Sequence, residues 1–199
     1  MPGAAQPLGR RERNKQAKLE RITAAAGALF AKHGVDEVTT QQIAEAADIG
    51  TGTLFLYAKN KGELLLLVQN SSYVDALAEG KEAADGITDP LDAVMAIIRP
   101  VVECNRIRVD NGRTYLRERV FGDPEEPHHR DALALTLQTE EAVSAILQRG
   151  DRSPDDAATL ARIVSAIMFV GMAAPVNVAL SPDEVLAEIR RQVQVLLAR

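Results

Sequence analysis

The sequence predicts an all-α protein of about nine helices, and three observations support this fold class. The first is composition: 31 of the 199 residues are alanine, the strongest helix former, whereas aromatic residues make up only 4% and tryptophan is absent. The second is a series of helix start signals along the whole chain. The third is that no segment shows the alternation typical of a half-buried strand. With 46% apolar and 26% charged residues the chain can bury a core, which excludes general disorder.

The first helix is predicted from Arg10 to His33, because Gly34 can end it as a residue that tolerates a left-handed conformation. Residues 1–9 are expected to form a disordered tail. Apolar side chains recur at helical spacing through the second half of this helix. They are Leu19, Ile22, Ala26, Leu29 and Phe30.

Two short helices follow. Thr39 and Gln42 have the spacing of a capping box, which predicts the start of the second helix. The segment 48–50 ends it, and a third helix is predicted from Thr51 to Tyr57. Two short helices joined by a tight turn form a helix-turn-helix pattern.

The remaining start signals locate the longer helices. Asn60 caps a fourth helix, which is expected to continue to about Gly80. Asp89 before Pro90 combines a capping side chain with the residue favoured in a first helical turn, and two Ser-Pro pairs repeat this arrangement. Helices are therefore expected to start near residues 90, 112, 125, 154 and 182. Pro100 is expected to kink or split the fifth helix.

Charge distinguishes the two ends of the chain. The net charge is −5, but residues 1–21 carry +4 and residues 66–199 carry −7. A basic segment joined to an acidic body indicates that only the front of the chain meets a polyanion. The single cysteine, Cys104, allows no disulfide within the chain, so we expect a cytoplasmic protein.

One uncharged stretch, residues 163–180, is nearly long enough to cross a bilayer. A glycine, a proline and two polar residues interrupt it, and no aromatic belt flanks it. We therefore expect a buried helix followed by a loop, and no membrane partner.

The third predicted helix has the chemistry needed for contact with DNA. Gly52 allows the backbone to approach a duplex, and the hydroxyls of Thr51 and Thr53 can bind phosphates. Tyr57 and the lysines after it can hold the flanking phosphates. These features predict that the N-terminal helices bind double-stranded DNA.

Residues 21–65 resemble the DNA-binding domain of TetR-family regulators. The matching residues are Arg21-Ile22, Ala25-Ala26, Leu29-Phe30, Gly34, Thr39-Thr40, Ile43-Ala44, Ala47, Gly52-Thr53-Leu54-Phe55, Tyr57, Lys59-Asn60-Lys61 and Leu64. Asp48 and Gly50 depart from the family's usual Gly and Ser in the turn. Ala58 replaces a usual aromatic residue, which is expected to remove packing between the third and fourth helices.

The resemblance implies a helix-turn-helix domain at residues 10–60 and a ligand-binding and dimerisation domain at residues 61–199. It implies a homodimeric, ligand-responsive regulator, a repressor that a small apolar or amphipathic molecule releases from a palindromic operator. The DNA contacts that it implies are Thr39, Thr40, Gln41, Thr51, Gly52, Thr53, Phe55, Tyr57, Lys59 and Lys61, with Arg10, Arg11 and Arg13 as an arm. For Thr39 a helix cap is favoured over a DNA contact, whereas Phe55 is equally interpretable as core and the arginines as a solubilising tail.

Two further sets of residues follow from the same resemblance. The effector pocket is expected between the fifth and eighth helices, lined by Met95, Ile98, Val102, Tyr115, Phe121, Leu133, Leu137, Met168, Phe169 and Met172. The dimer interface is expected at Leu160, Ile163, Val164, Ile167, Val185, Ile189, Val193 and Leu196. Both sets are also what an ordinary helical core would contain. Residues 97–131 hold seven arginines and no alanine, so one or two guanidinium groups are expected to face inward.

Alternative chemistry has less support in the sequence. Glu125 with His128, and Glu126 with His129, have the spacing of a metal-binding bundle, but Pro127 separates them and no second such motif follows. We therefore expect no cofactor, no metal and no catalytic site. A helical metal-binding or enzymatic bundle, and a regulator without a small-molecule effector, are the alternatives. Cys104 is interpretable as a redox sensor or as inert core.

Overall fold

The computed structural model describes residues 9–198, so nearly all of the predicted tail lies outside the described residues. Within this range all regular structure is helical, which confirms the predicted fold class. The helices are α1 (Arg10–His33), α2 (Thr40–Ala46), α3 (Thr51–Leu54), α4 (Lys61–Ala83), α5 (Pro90–Arg106), α6 (Val109–Phe121), α7 (Pro127–Leu147), α8 (Pro154–Ala173) and α9 (Pro182–Leu197).

The N-terminal three helices have the boundaries that their capping residues predict. Gly34 ends α1 with a φ of 86°, a conformation that costs glycine little. The capping box of α2 is complete: the Gln42 N–H donates to Thr39 Oγ1 at 3.2 Å, and the Thr39 N–H donates to Gln42 Oε1 at 2.8 Å. Ile22, Phe30 and Leu54 form the core between these helices, each almost fully buried.

Helix α4 connects the N-terminal helices to the rest of the chain. It packs against α1 on one side and against α5, α6 and α7 on the other. The Asn60 side chain caps its first turn by accepting from the Glu63 N–H at 2.9 Å. Because one helix contacts both regions, a displacement of its C-terminal half moves the N-terminal helices as well.

Gly80 does not end α4 as predicted, because its role is close packing. A Cβ added there would lie 2.7 Å from the carbonyl oxygen and 2.9 Å from the Cα of Ile97 in α5. Pro100 does not split α5 either, and the helix runs unbroken from Pro90 to Arg106. Proline leaves the Ala96 carbonyl without its helical donor. The close approach of α4 at Gly80 supports this part of α5.

Helices α6 and α7 begin at residues 109 and 127, where starts near 112 and 125 were predicted. Gly112 lies inside α6. Only glycine fits there, because a side chain would overlap the Asn105 carbonyl oxygen of the preceding helix. Pro127 occupies the first turn of α7. Gly80, to which α4 was predicted to extend, and Gly112 thus both serve contacts between helices.

Helix α8 covers most of the uncharged stretch and ends at Ala173, before a 3-10 turn at Pro175–Asn177. A helix followed by a loop was predicted there. Among the described residues it is the one helix whose length and composition would let it cross a membrane, a property that it shares with core helices. Val164, Met168 and Met172 bury one of its faces against the chain.

Candidate DNA-binding site

The turn between α2 and α3 depends on one unusual backbone conformation. Asp48 has a φ of 52°, in the left-handed region that aspartate tolerates better than most residues do. Arg21 of α1 lies 3.5 Å from the Asp48 carboxylate. Asp48 can therefore stand where the resembling family has glycine. Gly50 precedes α3 without a side-chain cap.

The α3 segment turns one face inward and one outward. Leu54 is fully buried, whereas Gly52 and Leu56 are exposed, Leu56 by 82% of its surface, and Phe55 is exposed by 46%. Phe55 is therefore not a core residue, although about half of its surface is covered. Leu56 was absent from the predicted contacts, and its position beside Phe55 in an exposed segment is the signal that could have identified it. Exposed apolar groups here suit thymine methyls or sugars.

The predicted contacts around α2 are already engaged within the protein. The Thr39 hydroxyl forms the helix cap, as its alternative interpretation proposed. The Gln41 Nε2 donates to Glu45 Oε1 at 3.0 Å at the surface. Gln41 must release this contact before it can reach a base edge.

A groove of about 560 Å³ separates the start of α1 from the end of α3. Thr53, Leu56 and Tyr57 line one wall, and the other carries Arg11, Lys15 and Lys18 beside Glu12 and Asn14. Lys15 and Lys18 were not predicted as contacts, although their spacing one turn apart could have indicated them. Arg10, Arg11 and Arg13 belong to the first turns of α1, which begins where it was predicted to begin, and their contact with DNA stays a prediction.

The two lysines after α3 hold neighbouring parts of the chain. Lys59 forms an ion pair with Glu126 at the start of α7. This carboxylate raises the pKa of Lys59 through a hydrogen bond and its charge. Lys61 Nζ donates to the Asp36 carbonyl oxygen at 3.1 Å. Both ammonium groups therefore connect the segment after α3 to other parts of the chain.

The N-terminal turn of α7 lies directly on the end of the α3 segment. His128 Nε2 is 2.9 Å from the Tyr57 carbonyl oxygen, and the His128 carbonyl accepts from Asn70 Nδ2 of α4 at 2.9 Å. Tyr115 of α6 donates its hydroxyl to Asn70 Oδ1 at 3.0 Å. A buried chain of hydrogen bonds thus connects α6, α4 and α7 with Tyr57.

A second junction joins α6 to the C-terminus of α1. Asn111 Nδ2 donates to the Phe30 carbonyl at 2.9 Å, and Asn111 Oδ1 accepts from the Val35 N–H at 2.8 Å. The buried Asn111 side chain gives the Val35 N–H its acceptor and adds a second donor to the Phe30 carbonyl, which also accepts from the Gly34 N–H at 3.0 Å. These hydrogen bonds connect α6 directly to the end of α1.

The carboxylate of Glu63 lies buried in the first turn of α4, near the start of α7. Burial raises the pKa of Glu63, and the charges of His128 and His129 with the His128 N–H oppose that shift. Its Oε2 has no partner among the described residues. A buried carboxylate with an unsatisfied oxygen favours the protonated form.

Six of the predicted effector-pocket residues lie in the interior, where the structure buries them: Met95, Ile98, Val102, Tyr115, Met168 and Met172. Phe169 is partly buried. Phe121, Leu133 and Leu137 are exposed by 79%, 39% and 59%, so they lie outside the buried interior, and their contact with an effector stays a prediction. α6 and α7 turn these positions to solvent.

The predicted dimer residues also fall into two groups, those buried within the chain and those that a partner can reach. Val164, Val185, Ile189 and Val193 are fully buried within the chain, because α8 and α9 pack on each other and on α5. A partner cannot reach these four, and the expectation is corrected accordingly. Apolar side chains of α8 that a partner can reach recur every three or four residues. They are Leu160, Ile163, Ile167 and Val170.

The residues with metal-ligand spacing hold structural contacts. Glu126 pairs with Lys59, His128 contacts Tyr57, and His129 Nε2 is 3.0 Å from the Arg119 carbonyl. Among residues 9–198, no three His, Cys, Asp or Glu side chains are grouped as metal ligands. Cys104 is partly buried, and burial raises the pKa of its thiol.

Comparison with known proteins gives a consistent result. Residues 22–68 match the family of bacterial regulatory proteins described as the tetR family. No curated protein sequence matches the chain. A TetR transcriptional regulator from Rhodococcus sp. RHA1 is 18% identical with a TM-score of 0.72, over 92% of this chain and 97% of that one.

A second similar structure is Thermus thermophilus FadR, a TetR-family transcriptional repressor solved in complex with lauroyl-CoA. It is 25% identical with a TM-score of 0.71, over 90% of this chain and 93% of that one. A TetR-family regulator from Streptomyces coelicolor is 22% identical with a TM-score of 0.64, over 92% and 95%. The similarity extends over both the N-terminal helices and the helical body.

Proposed function

We propose that this chain is a regulator of the tetR family, whose model matches residues 22–68, and that it is a cytoplasmic, homodimeric repressor released from a palindromic operator by a small molecule. DNA binding and ligand response are the family's function. The repressor role, the dimer and the individual contacts are our proposal for this chain.

The outward display of the α3 segment carries the proposal. Gly52 and Leu56 present an exposed surface above a buried Leu54, and a basic wall from α1 lies beside it. A major groove accepts a helix of this size, and the basic wall suits the phosphates along the groove edge. Thr51, Thr53 and Tyr57 are placed to fix the segment on the backbone.

A dimer gives this small surface its affinity. One helix-turn-helix unit buries little area on DNA, whereas two units separated by one helical turn bind two half-sites together. The exposed α8 face of Ile163, Ile167 and Val170 is suited to this contact around a two-fold axis. The operator is then palindromic because the protein is symmetric.

The two junctions provide a route from the helical body to DNA. His128 holds the Tyr57 carbonyl from α7, and Asn111 holds the end of α1 from α6. A ligand that prefers a conformation with α6 or α7 displaced would change the separation of the two α3 segments. The ligand lowers operator affinity by as much as its own affinity differs between the two conformations.

The effector is proposed to be apolar or amphipathic. Methionine side chains of α5 and α8 contribute to an adaptable apolar interior, including Met168 and Met172. FadR, the similar repressor from Thermus thermophilus, binds lauroyl-CoA, an amphipathic molecule. An interior of this composition accommodates a hydrocarbon chain after modest repacking.

The test is binding of the full chain to the DNA upstream of its own gene at several salt concentrations. Affinity should fall steeply as salt rises, because phosphate contacts release counterions. Tyr57→Ala should weaken binding to all sequences, whereas Gln41→Ala should change the preference at one base pair. Gln138→Ala, at an exposed position of α7, is the matched control. Unchanged affinity in both variants would refute the proposed contacts.

A further inference from the structure

We propose that Arg119 is the anion-binding centre of the effector site, that a groove between α6 and α8 leads to it, and that its ligand is an amphipathic monocarboxylate. This proposal rests on the ligand response proposed above. It names the chemical class of the effector and the residue that recognises it.

Arg119 is one of two buried arginines among residues 9–198, and the other, Arg106, donates hydrogen bonds from its guanidinium to backbone carbonyls of residues 177–180. Arg119 is only 8% exposed, and no carboxylate among residues 9–198 lies within 4.0 Å of its side-chain nitrogens. Buried charges are normally paired, because removing them from water is costly. The guanidinium carbon instead lies 5.6 Å from the centre of the Phe169 ring. An anionic ligand would supply the missing partner.

Polar groups around Arg119 suit a carboxylate head. The Tyr73 hydroxyl is 3.4 Å from Thr139 Oγ1, and interaction with Arg119 partly offsets the rise that burial causes in the pKa of Tyr73. His129 Nε2 donates to the Arg119 carbonyl oxygen and thereby connects α7 to α6 at this position. Hydroxyl and guanidinium donors are the groups that bind carboxylates in proteins.

The groove gives access to this centre. It has a volume of about 380 Å³ and lies between α6 and the C-terminal part of α8. Phe169 lines it, and the same ring covers the Arg119 guanidinium. Rotation of this one side chain would therefore open the groove to Arg119. Phe121, exposed by 79%, borders the groove and supplies an apolar surface for a hydrocarbon chain.

The charges at the groove favour a ligand with a single negative charge. Arg113 and Arg117 contribute two positive charges, but Asp36 and Asp110 contribute two negative ones. A polyanionic group such as a coenzyme A headgroup would meet both aspartates without a net attraction. A monocarboxylate can pass the groove, where these charges cancel, and then pair with the guanidinium of the buried Arg119.

The groove also connects ligand binding to the helix-turn-helix unit. Asp36 lies in the connection between α1 and α2, and Asp110 is next to Asn111, which holds the end of α1. A ligand in the groove thus contacts both sides of the α1–α6 junction. Its occupancy would bias the position of α1 relative to α6.

The experiment compares decanoate with 1-decanol, which have the same hydrocarbon chain and differ in charge. Calorimetric binding to the full chain should favour decanoate by about tenfold or more, the range expected for a charged hydrogen-bonded pair. Arg119→Gln should remove that preference, and Arg119→Lys should keep part of it. Arg162→Gln, at an exposed position of α8 outside the groove lining, is the control and should keep the preference.

Two readouts separate this proposal from the proposed function. Arg119→Gln should bind the upstream DNA as the unchanged protein does, and decanoate should no longer release it. Equal binding of decanol and decanoate by the unchanged protein would overturn the proposal, as would binding of neither or of lauroyl-CoA alone. These comparisons use the unchanged chain, so they decide the proposal even where Arg119→Gln fails to fold. If the unchanged protein does not bind the upstream DNA, the proposed function is refuted instead.

Discussion

His128 of α7 holds the backbone of Tyr57 at the end of the α3 segment: its Nε2 lies 2.9 Å from the Tyr57 carbonyl oxygen. A carbonyl oxygen only accepts hydrogen bonds, so Nε2 is the protonated ring nitrogen. The contact joins residues 71 positions apart in the sequence. It places the helical body in direct contact with the element proposed to enter the major groove.

The first prediction concerns this hydrogen bond. His128→Ala should lower affinity for the upstream DNA by about fivefold, because a hydrogen bond of about 1 kcal/mol no longer orders the α3 segment. Fluorescence anisotropy with labelled DNA measures the effect. His33→Ala, at the exposed end of α1, should leave affinity unchanged. Equal affinities for the His128 variant and the unchanged protein would show that the contact does not order the segment.

The second prediction concerns the α1–α6 junction. Asn111→Ala should lower the free energy of unfolding by about 1–3 kcal/mol, because the buried Val35 N–H loses its acceptor and the Phe30 carbonyl keeps only the Gly34 N–H as a donor. Denaturant unfolding monitored by circular dichroism measures this change. Asn14→Ala, at an exposed position of α1, serves as the control. A decrease in the free energy of unfolding no larger than that of the control would show that Asn111 does not stabilise the α1–α6 junction.

The sequence predicted local features well because their causes are local. The capping boxes at Thr39 and Ser181 need only residues three positions apart, and both are present. The role of Gly80 was not predictable, since a glycine that ends a helix and one that admits a neighbouring helix are identical in sequence. The deciding contact is the backbone of Ile97 in α5, which lies too close to allow a side chain at position 80.

The candidate site was predictable in its type but not in its connections. A family resemblance located the α3 segment, and patterning identified apolar stripes on α8 and α9. Patterning does not reveal which side of a stripe faces the chain, so Val185 and Ile189 were assigned to a partner that they cannot contact. The burial of Arg119 among seven similar arginines likewise follows only from the packing of α6 against α4, α7 and α8.

The third prediction separates DNA contact from stability. No heavy atom lies within 4 Å of a Cβ added at Gly52, so Gly52→Ala should fold at least as stably as the unchanged protein. Its DNA affinity should fall, because the added methyl group lies where the backbone is proposed to approach the duplex. Gly150→Ala has the same open space far from α3 and is the matched control. If Gly52→Ala binds the upstream DNA normally, the duplex does not approach that face closely.

The fourth prediction is a pH dependence of stability. Burial raises the pKa of Glu63 in the folded chain, so the folded state keeps this proton at pH values where the unfolded state has lost it. The free energy of unfolding therefore falls as pH rises from about 4 through the raised pKa. Glu63→Gln cannot lose a proton there, so it should become more stable relative to the unchanged protein across that window.

Urea unfolding at a series of pH values measures this difference. Glu79→Gln, an exposed position on the same helix, should show no such trend. The charges of His128, His129 and Glu126 also act on Glu63, and they are the same in both proteins. A constant difference between Glu63→Gln and the unchanged protein at every pH would contradict the raised pKa.

The fifth prediction tests the exposed face of α8. Ile163 and Val170 are exposed by 40% and 60% and lie two turns apart on one side of the helix. Replacing both by arginine places like charges opposite each other across a two-fold axis, because each residue meets the same patch of its partner. Sedimentation equilibrium should then find monomers where the unchanged chain forms dimers.

The operator should respond to the same change. A monomer reaches one half-site at a time, so its affinity for a palindromic site should fall by orders of magnitude while each half-site contact is intact. Val120→Arg, at a half-exposed position of α6, adds a charge away from this face and should leave both measurements unchanged. A double variant that still sediments as a dimer would place the interface elsewhere on the chain. The exposed apolar residues of α8 would then face solvent in the dimer as well.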